Sequence, residues 1–141
     1  MNNDKDTEII NVLKHTRIIA MVGASSKPER PSYGVMQYLI ANGFEVVPVN
    51  PGQAGGKLMG QTIYASLADI PFPVDMVDVF RTSDATPEIV DEAIAINAKS
   101  IWLQLGISND EAEKKARQAG LSYIEDACIK IDHARLKAQL T

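Results

Sequence analysis

The chain has 141 residues, 45% of them hydrophobic, 23% charged and 6% aromatic, with a formal net charge of −4. That length suits one domain that buries roughly two-thirds of its unfolded surface, and the composition excludes disordered, collagen-like and disulfide-framework proteins. One Cys and two His are too few soft ligands for a zinc site, and the acidic average argues against general nucleic-acid binding.

In chain order, short apolar runs alternate with helical stretches, the pattern of βαβ units around a parallel sheet. The runs are residues 17–22 (RIIAMV), 45–49 (EVVPV), 75–79 (DMVDV), 100–103 (SIWL) and 122–124 (SYI). Their brevity and Ile/Val content predict strands covered on both faces. A first helix is expected over 7–14. Ser32 is placed as the cap of a second, whose apolar stripe is Val35, Met36, Leu39 and Ile40, with Gly43 beyond its end. Residues 50–73 are the least regular, with a short strand expected at 62–64 and a helical turn at 65–70. Thr86 and Pro87 open a helix striped by Ile89, Val90, Ala93 and Ile94. Ser108 and Glu111 form a capping box for the next, which Gly120 stops, and a last helix is expected over 132–139.

Five such strands predict a three-layer, Rossmann-like α/β fold in one domain spanning residues 1–141. Right-handed crossovers favour the order 3-2-1-4-5, with the switch point between strands 1 and 4. Ligands are then expected at the carboxyl ends of the strands. The N-terminus lacks the basic and apolar regions of a signal peptide, and no apolar run reaches membrane-spanning length. A cytoplasmic address, with no membrane contact, is expected.

The loop after the first strand reads V-G-A-S-S-K-P-E-R-P-S-Y-G-V. Gly23 ends the strand where a Cβ would crowd a ligand or a tight turn. Ser25, Ser26 and Ser32 offer hydroxyls, the following helix start offers backbone N–H groups, and Lys27 and Arg30 add positive charge. An anion-binding loop is favoured over an ordinary β–α connection. It is not a dinucleotide fingerprint: G-x-G-x-x-G is absent, and the second strand ends Val49-Asn50-Pro51 without an acid for a ribose diol. Nor does it match a P-loop.

These segments together, with NGFEVVPVNP, PVDMVDVFR and IWLQLG, resemble the small stand-alone coenzyme A-binding proteins, themselves similar to the CoA-binding domain of the succinyl-CoA synthetase α subunit. The resemblance covers about residues 14–136. It implies that coenzyme A or an acyl-CoA binds non-covalently. Gly23, Ala24, Ser25, Ser26, Lys27, Arg30 and Ser32 would meet the phosphates. Asn50 and Pro51 would contact the nucleotide end, and Phe80 and Arg81 would border the crevice. Relatives often carry a Lys after Asn-Pro, whereas this chain has Gly52 and Gln53, so Lys57 is nominated to reach back. A second departure is Ala127 in Asp126-Ala127-Cys128, where many relatives have Arg.

Candidate chemistry is sparse. Cys128 lies on the ligand side of the sheet but reads first as a small buried hydrophobe, with a redox role as the alternative. His15 and His133 read as helix-terminal residues that complement the dipole. Asp75 and Asp78, like Glu125 and Asp126, read as strand-end or turn-capping groups, and Trp102 as core. Gln104 is expected to face the crevice. With no evident nucleophile–base pair, the expectation is a carrier, sensor or accessory protein rather than a stand-alone enzyme. It leaves room for a protein partner and for either a monomer or a homodimer. The alternatives are an NAD(P)-binding oxidoreductase-like protein and an interaction module with a vestigial crevice.

Overall fold

The computed structural model describes residues 4–140. Helix α1 (Asp4–Lys14) leads into β1 (Ile18–Val22), α2 (Pro31–Ala41) and β2 (Glu45–Val49). A small antiparallel hairpin, β3 (Lys57–Leu58) and β4 (Gln61–Thr62), follows. Then come β5 (Met76–Val79), α3 (Thr86–Ala95), β6 (Ser100–Leu103), α4 (Asp110–Gln118), β7 (Ser122–Ile124) and α5 (Ile129–Leu136). The five core strands pair in parallel.

Alternation along each strand sends side chains to two separate cores. Ala20, Val22, Val77, Val79, Ile101 and Leu103 pack with Ile89, Val90 and Ala93 of α3 and with Ala112 and Ala116 of α4. Ile19, Met21, Met76, Trp102 and Ile124 pack on the opposite face with α1, α2 and α5. The result is the expected three-layer, Rossmann-like architecture.

The strand order differs from the expected 3-2-1-4-5. It is β2-β1-β5-β6-β7, so the third core strand pairs with β1 instead of lying outside β2. The reason is at the outer edge of β2. Tyr64 forms a parallel bridge with Val49, its N–H donates to the Pro48 carbonyl (3.0 Å), and its carbonyl accepts from Asn50 N–H (2.9 Å). With that edge taken and Pro48 lacking an N–H, β2 is the end of the sheet. All four residues of β5 are buried, as a central strand requires. Right-handed crossovers permit either order, so chain geometry alone did not decide it. The switch point accordingly moves to between β1 and β5.

Helix starts shift by one to three residues, α1 and α5 each beginning three residues before the expected 7 and 132. Arg30, extended before Pro31, occupies the cap position of α2, and Ser32 lies inside the first turn. Asn109 rather than Ser108 caps α4, its Oδ1 accepting from Ala112 N–H at 2.9 Å. Thr86 begins α3 but turns its hydroxyl onto the Ser83 carbonyl at 2.7 Å, because a 3₁₀ turn (Ser83–Ala85) precedes it. Among the described residues, no helix is long and apolar enough to cross a membrane.

Candidate functional site

The loop after β1 is held by hydrogen bonds on several sides. Gly23 has φ +87°, and a Cβ there would stand 2.5 Å from the Phe80 carbonyl oxygen. The glycine is therefore required by the neighbouring end of β5, with no ligand needed to explain it. Asn50 ties the loop to the end of β2: its Nδ2 donates to the Ala24 carbonyl (2.8 Å), and its Oδ1 accepts from Gly52 N–H (2.9 Å). Gln53 Nε2 donates to Ser26 Oγ at 2.9 Å. Ser32, buried, accepts from Ser25 N–H, and Ser25 Oγ accepts from Lys27 N–H, both at 3.1 Å. The hydroxyls of Ser25, Ser26 and Ser32 thus shape the loop themselves.

Over the ends of β1, β5 and β6 lies a crevice of about 910 Å³. Gly23, Ala24, Ser25, Lys27, Arg30, Ser32, Asn50, Phe80 and Arg81 all line it. Three nominated residues do not. Ser26 braces Gln53, Pro51 borders a separate cavity of about 210 Å³ against α3, and Lys57 is exposed at the start of the β3–β4 hairpin. Gln104 lines the crevice as expected, and so does Cys128, which is only partly buried. Gln53, Val35, Thr82 and Ser83 complete the β1–β5 side, while Leu105 and Ile107 complete the β6 side. Gln53 could have been found in the sequence, since it follows Asn-Pro where a ligand cation was sought.

Three cations, Lys27, Arg30 and Arg81, line this space, and no Asp or Glu among the described residues does; Arg81 also borders the smaller cavity against α3, which Glu88 and Glu92 line. None of the three forms a side-chain hydrogen bond or ion pair with a described residue. In a chain of net charge −4, this concentrates unpaired positive charge at the start of α2. Backbone donors contribute less than the sequence suggests, because Pro31 has no N–H and Tyr33 N–H donates to the Arg30 carbonyl (3.1 Å). Anion attraction at this site rests chiefly on the guanidinium and ammonium groups.

The far end is built differently. Gln104 is buried and its Oε1 accepts from Ile129 N–H at 3.3 Å, fixing the start of α5. Trp102, fully buried as expected, donates Nε1–H to the Ala127 carbonyl at 2.8 Å. Asp126 accepts from Gly106 N–H (2.8 Å) and Glu125 from the Tyr123 hydroxyl (2.7 Å). Asp75 caps β1, accepting from Arg17 and Ile18 N–H, both at 2.9 Å.

Asp78 breaks the expectation placed on these acids. It is fully buried in β5 with neither carboxylate oxygen hydrogen-bonded, and burial raises its pKa well above 3.8. His133 also departs from its expected role as a cation on the helix dipole. It is buried between Tyr38 and Phe44, with Nδ1 2.7 Å from the Tyr38 hydroxyl. Burial, with Lys137 nearby, lowers its pKa and favours the neutral ring.

The crevice is cationic, is lined by no described acid and lies at the switch point of a parallel sheet, where ligands of open α/β sheets commonly bind. The family model that matches, over residues 17–134, is described as a CoA binding domain. The chain belongs to the CoA binding domain family. A Bacillus subtilis relative called uncharacterized protein YneT is 36% identical over 137 residues, covering 97% of this chain and all of that protein. An ADP-forming acetate–CoA ligase of Archaeoglobus fulgidus is 29% identical over 106 residues, 74% of this chain but 16% of the ligase. Among solved structures, a Thermus thermophilus protein superposes with a TM-score of 0.88 at 39% identity, covering 96% of this chain and 99% of that one. A Pyrococcus horikoshii hypothetical protein gives 0.87 at 38%, covering 97% and 99%. Family membership supports CoA binding by the CoA binding domain as a class.

Proposed function

We propose that this CoA binding domain holds coenzyme A or an acyl-CoA non-covalently in the 910 Å³ crevice, and serves in the cytoplasm as a carrier, sensor or accessory protein. The observation that carries the reading is the trio Lys27, Arg30 and Arg81, unpaired around a cavity lined by no acid. CoA offers a diphosphate and a 3′-phosphate, and such groups are what free guanidinium and ammonium groups bind best. Gly23, Ala24, Ser25 and Ser32 form the wall against the diphosphate, Asn50 borders the nucleotide, and Phe80 offers an aromatic face for adenine. Ser26 and Gln53 act by bracing that wall.

Binding without chemistry is favoured by what lines the crevice. Its titratable side chains are Lys27, Arg30, Arg81 and Cys128, with neither a carboxylate nor an imidazole to serve as a base. Calorimetric titration with CoA, dephospho-CoA, NADH and NADPH tests the reading. CoA is expected to bind in the micromolar range, tighter than dephospho-CoA and far tighter than either nicotinamide nucleotide. Micromolar NADPH binding with absent CoA binding would overturn it.

A further inference from the structure

A second cavity of about 350 Å³ adjoins the crevice and shares Leu105 and Cys128 with it. It lies between α1 and α5, and its apolar lining adds Ile9, Ala127 and Ile131 to the two shared residues. Leu105 and Ile131 are among the few large apolar side chains left open to solvent, at 60% and 57% exposure. The apolar surface therefore runs on from the crevice, past the saddle formed by Leu105 and Cys128, into this pocket.

The distance across the sheet fits the reach of a CoA arm. From the loop after β1 to Cys128 after β7 is three interstrand spacings, at about 4.8 Å each roughly 14 Å. A phosphopantetheine arm has about thirteen bonds from phosphorus to sulfur, and an extended chain rises about 3.4 Å per three bonds, which gives roughly 15 Å. An arm whose phosphates rest at Lys27 and Arg30 thus brings its sulfur to the saddle. Whatever is attached to that sulfur lies next to the second cavity.

We infer that the second cavity is an acyl subsite, and that the ligand preferred over free CoA is a thioester with a short, apolar acyl group. This rests on the CoA reading above. The charges around the pocket narrow the class further. Arg135 is engaged by Asp6 (2.8 Å) and Asp132 (3.1 Å), and Lys5 donates to the Glu125 carbonyl (3.1 Å). With Asp126 also present, three carboxylates face two cations already in use. An acyl group ending in a carboxylate meets a net negative rim, whereas a plain alkyl chain gains from Ile9 and Ile131.

Calorimetric titration with CoA, acetyl-CoA, butyryl-CoA and succinyl-CoA tests the inference. Each added methylene is expected to tighten binding about two- to fourfold. Butyryl-CoA should then bind at least about fivefold tighter than CoA, and succinyl-CoA no tighter than CoA. Ile131→Asp, at an exposed helical position, should erase the butyryl gain and leave CoA affinity unchanged. Methyl NMR of the unmodified protein supplies a check that needs no variant, since Ile9 and Ile131 methyls should shift with butyryl-CoA and not with CoA. CoA binding without a butyryl advantage, or with succinyl-CoA matching butyryl-CoA, overturns the acyl subsite alone. Failure of every CoA species to bind overturns the CoA reading itself.

Discussion

Around the end of β1 the crevice wall is polar, cationic and cross-braced, whereas around the ends of β6 and β7 it is apolar and partly open. At the first end, Asn50 and Gln53 hold the loop from one side and Ser32 from the other, leaving Lys27, Arg30 and Arg81 to face the cavity. At the second, the lining side chains Leu105, Ile107 and Cys128 carry no formal charge; hydrogen bonds brace this end too, Asp126 N–H to the Ile107 carbonyl at 3.0 Å among them, but they lie behind an apolar surface. The contrast teaches how a single ligand is divided between them. Hydrogen bonds and charges need fixed geometry, so the braced end sets where a ligand starts. Apolar contact depends on area, so the other end grades what the ligand carries.

The largest expected effect breaks the joint on which the braced end is built. Gly23→Ala forces a Cβ to 2.5 Å from the Phe80 carbonyl oxygen at φ +87°, and should cost about 3 kcal/mol or more of stability. Urea unfolding measures this, and stability near that of the unmodified chain would show that the ends of β1 and β5 are not locked together. Next, Arg30→Ala removes a side chain that bonds to no other described residue, so the fold should stay as stable. CoA affinity should nevertheless fall about ten- to hundredfold by calorimetry, and its salt dependence should weaken.

Asp78 lies two residues before Phe80 in the strand that both ends share, and its effect is expected in stability alone. Its folded-state pKa is raised above the ordinary 3.8, so above that pH the unfolded chain loses the proton first and unfolding becomes easier. Relative to Asp78→Asn, the unmodified protein should lose up to about 1.4 kcal/mol per pH unit, levelling once the carboxyl ionises in the fold. Parallel curves for the two proteins from pH 4 to 8 would contradict a buried, protonated Asp78. The smallest effect locates the limit of the polar end. Lys57 is outside the crevice lining, and Lys57→Ala should change CoA affinity less than about twofold at moderate ionic strength.

Much of this architecture is legible in the sequence because strands covered on both faces read as short Ile/Val runs and the helices carry Gly and Pro punctuation. The strand order was legible as well, in one residue. Pro48 cannot donate an N–H, which marks the second strand as an edge and argues against the 3-2-1-4-5 order that buries it between neighbours. Ser108 and Asn109 are both good caps, and only backbone geometry selects Asn109. Asp78 was misread as a strand-end or turn-capping group, whereas it is the third of the four buried residues of β5, a strand packed on both faces. The loops at the carboxyl ends were visible as candidate walls. Their joining to a second cavity was not, since that depends on α1 and α5, more than a hundred residues apart in sequence, packing beside each other.

Residue-resolved NMR during titration with CoA tests the division of the ligand most directly. Shifts are expected in residues 23–33, 50–53 and 80–83, with a separate set at Leu105, Ile107 and Cys128 marking the arm. Shifts confined elsewhere, or in the first set with none at the second, would contradict a CoA molecule laid from the end of β1 to the end of β7.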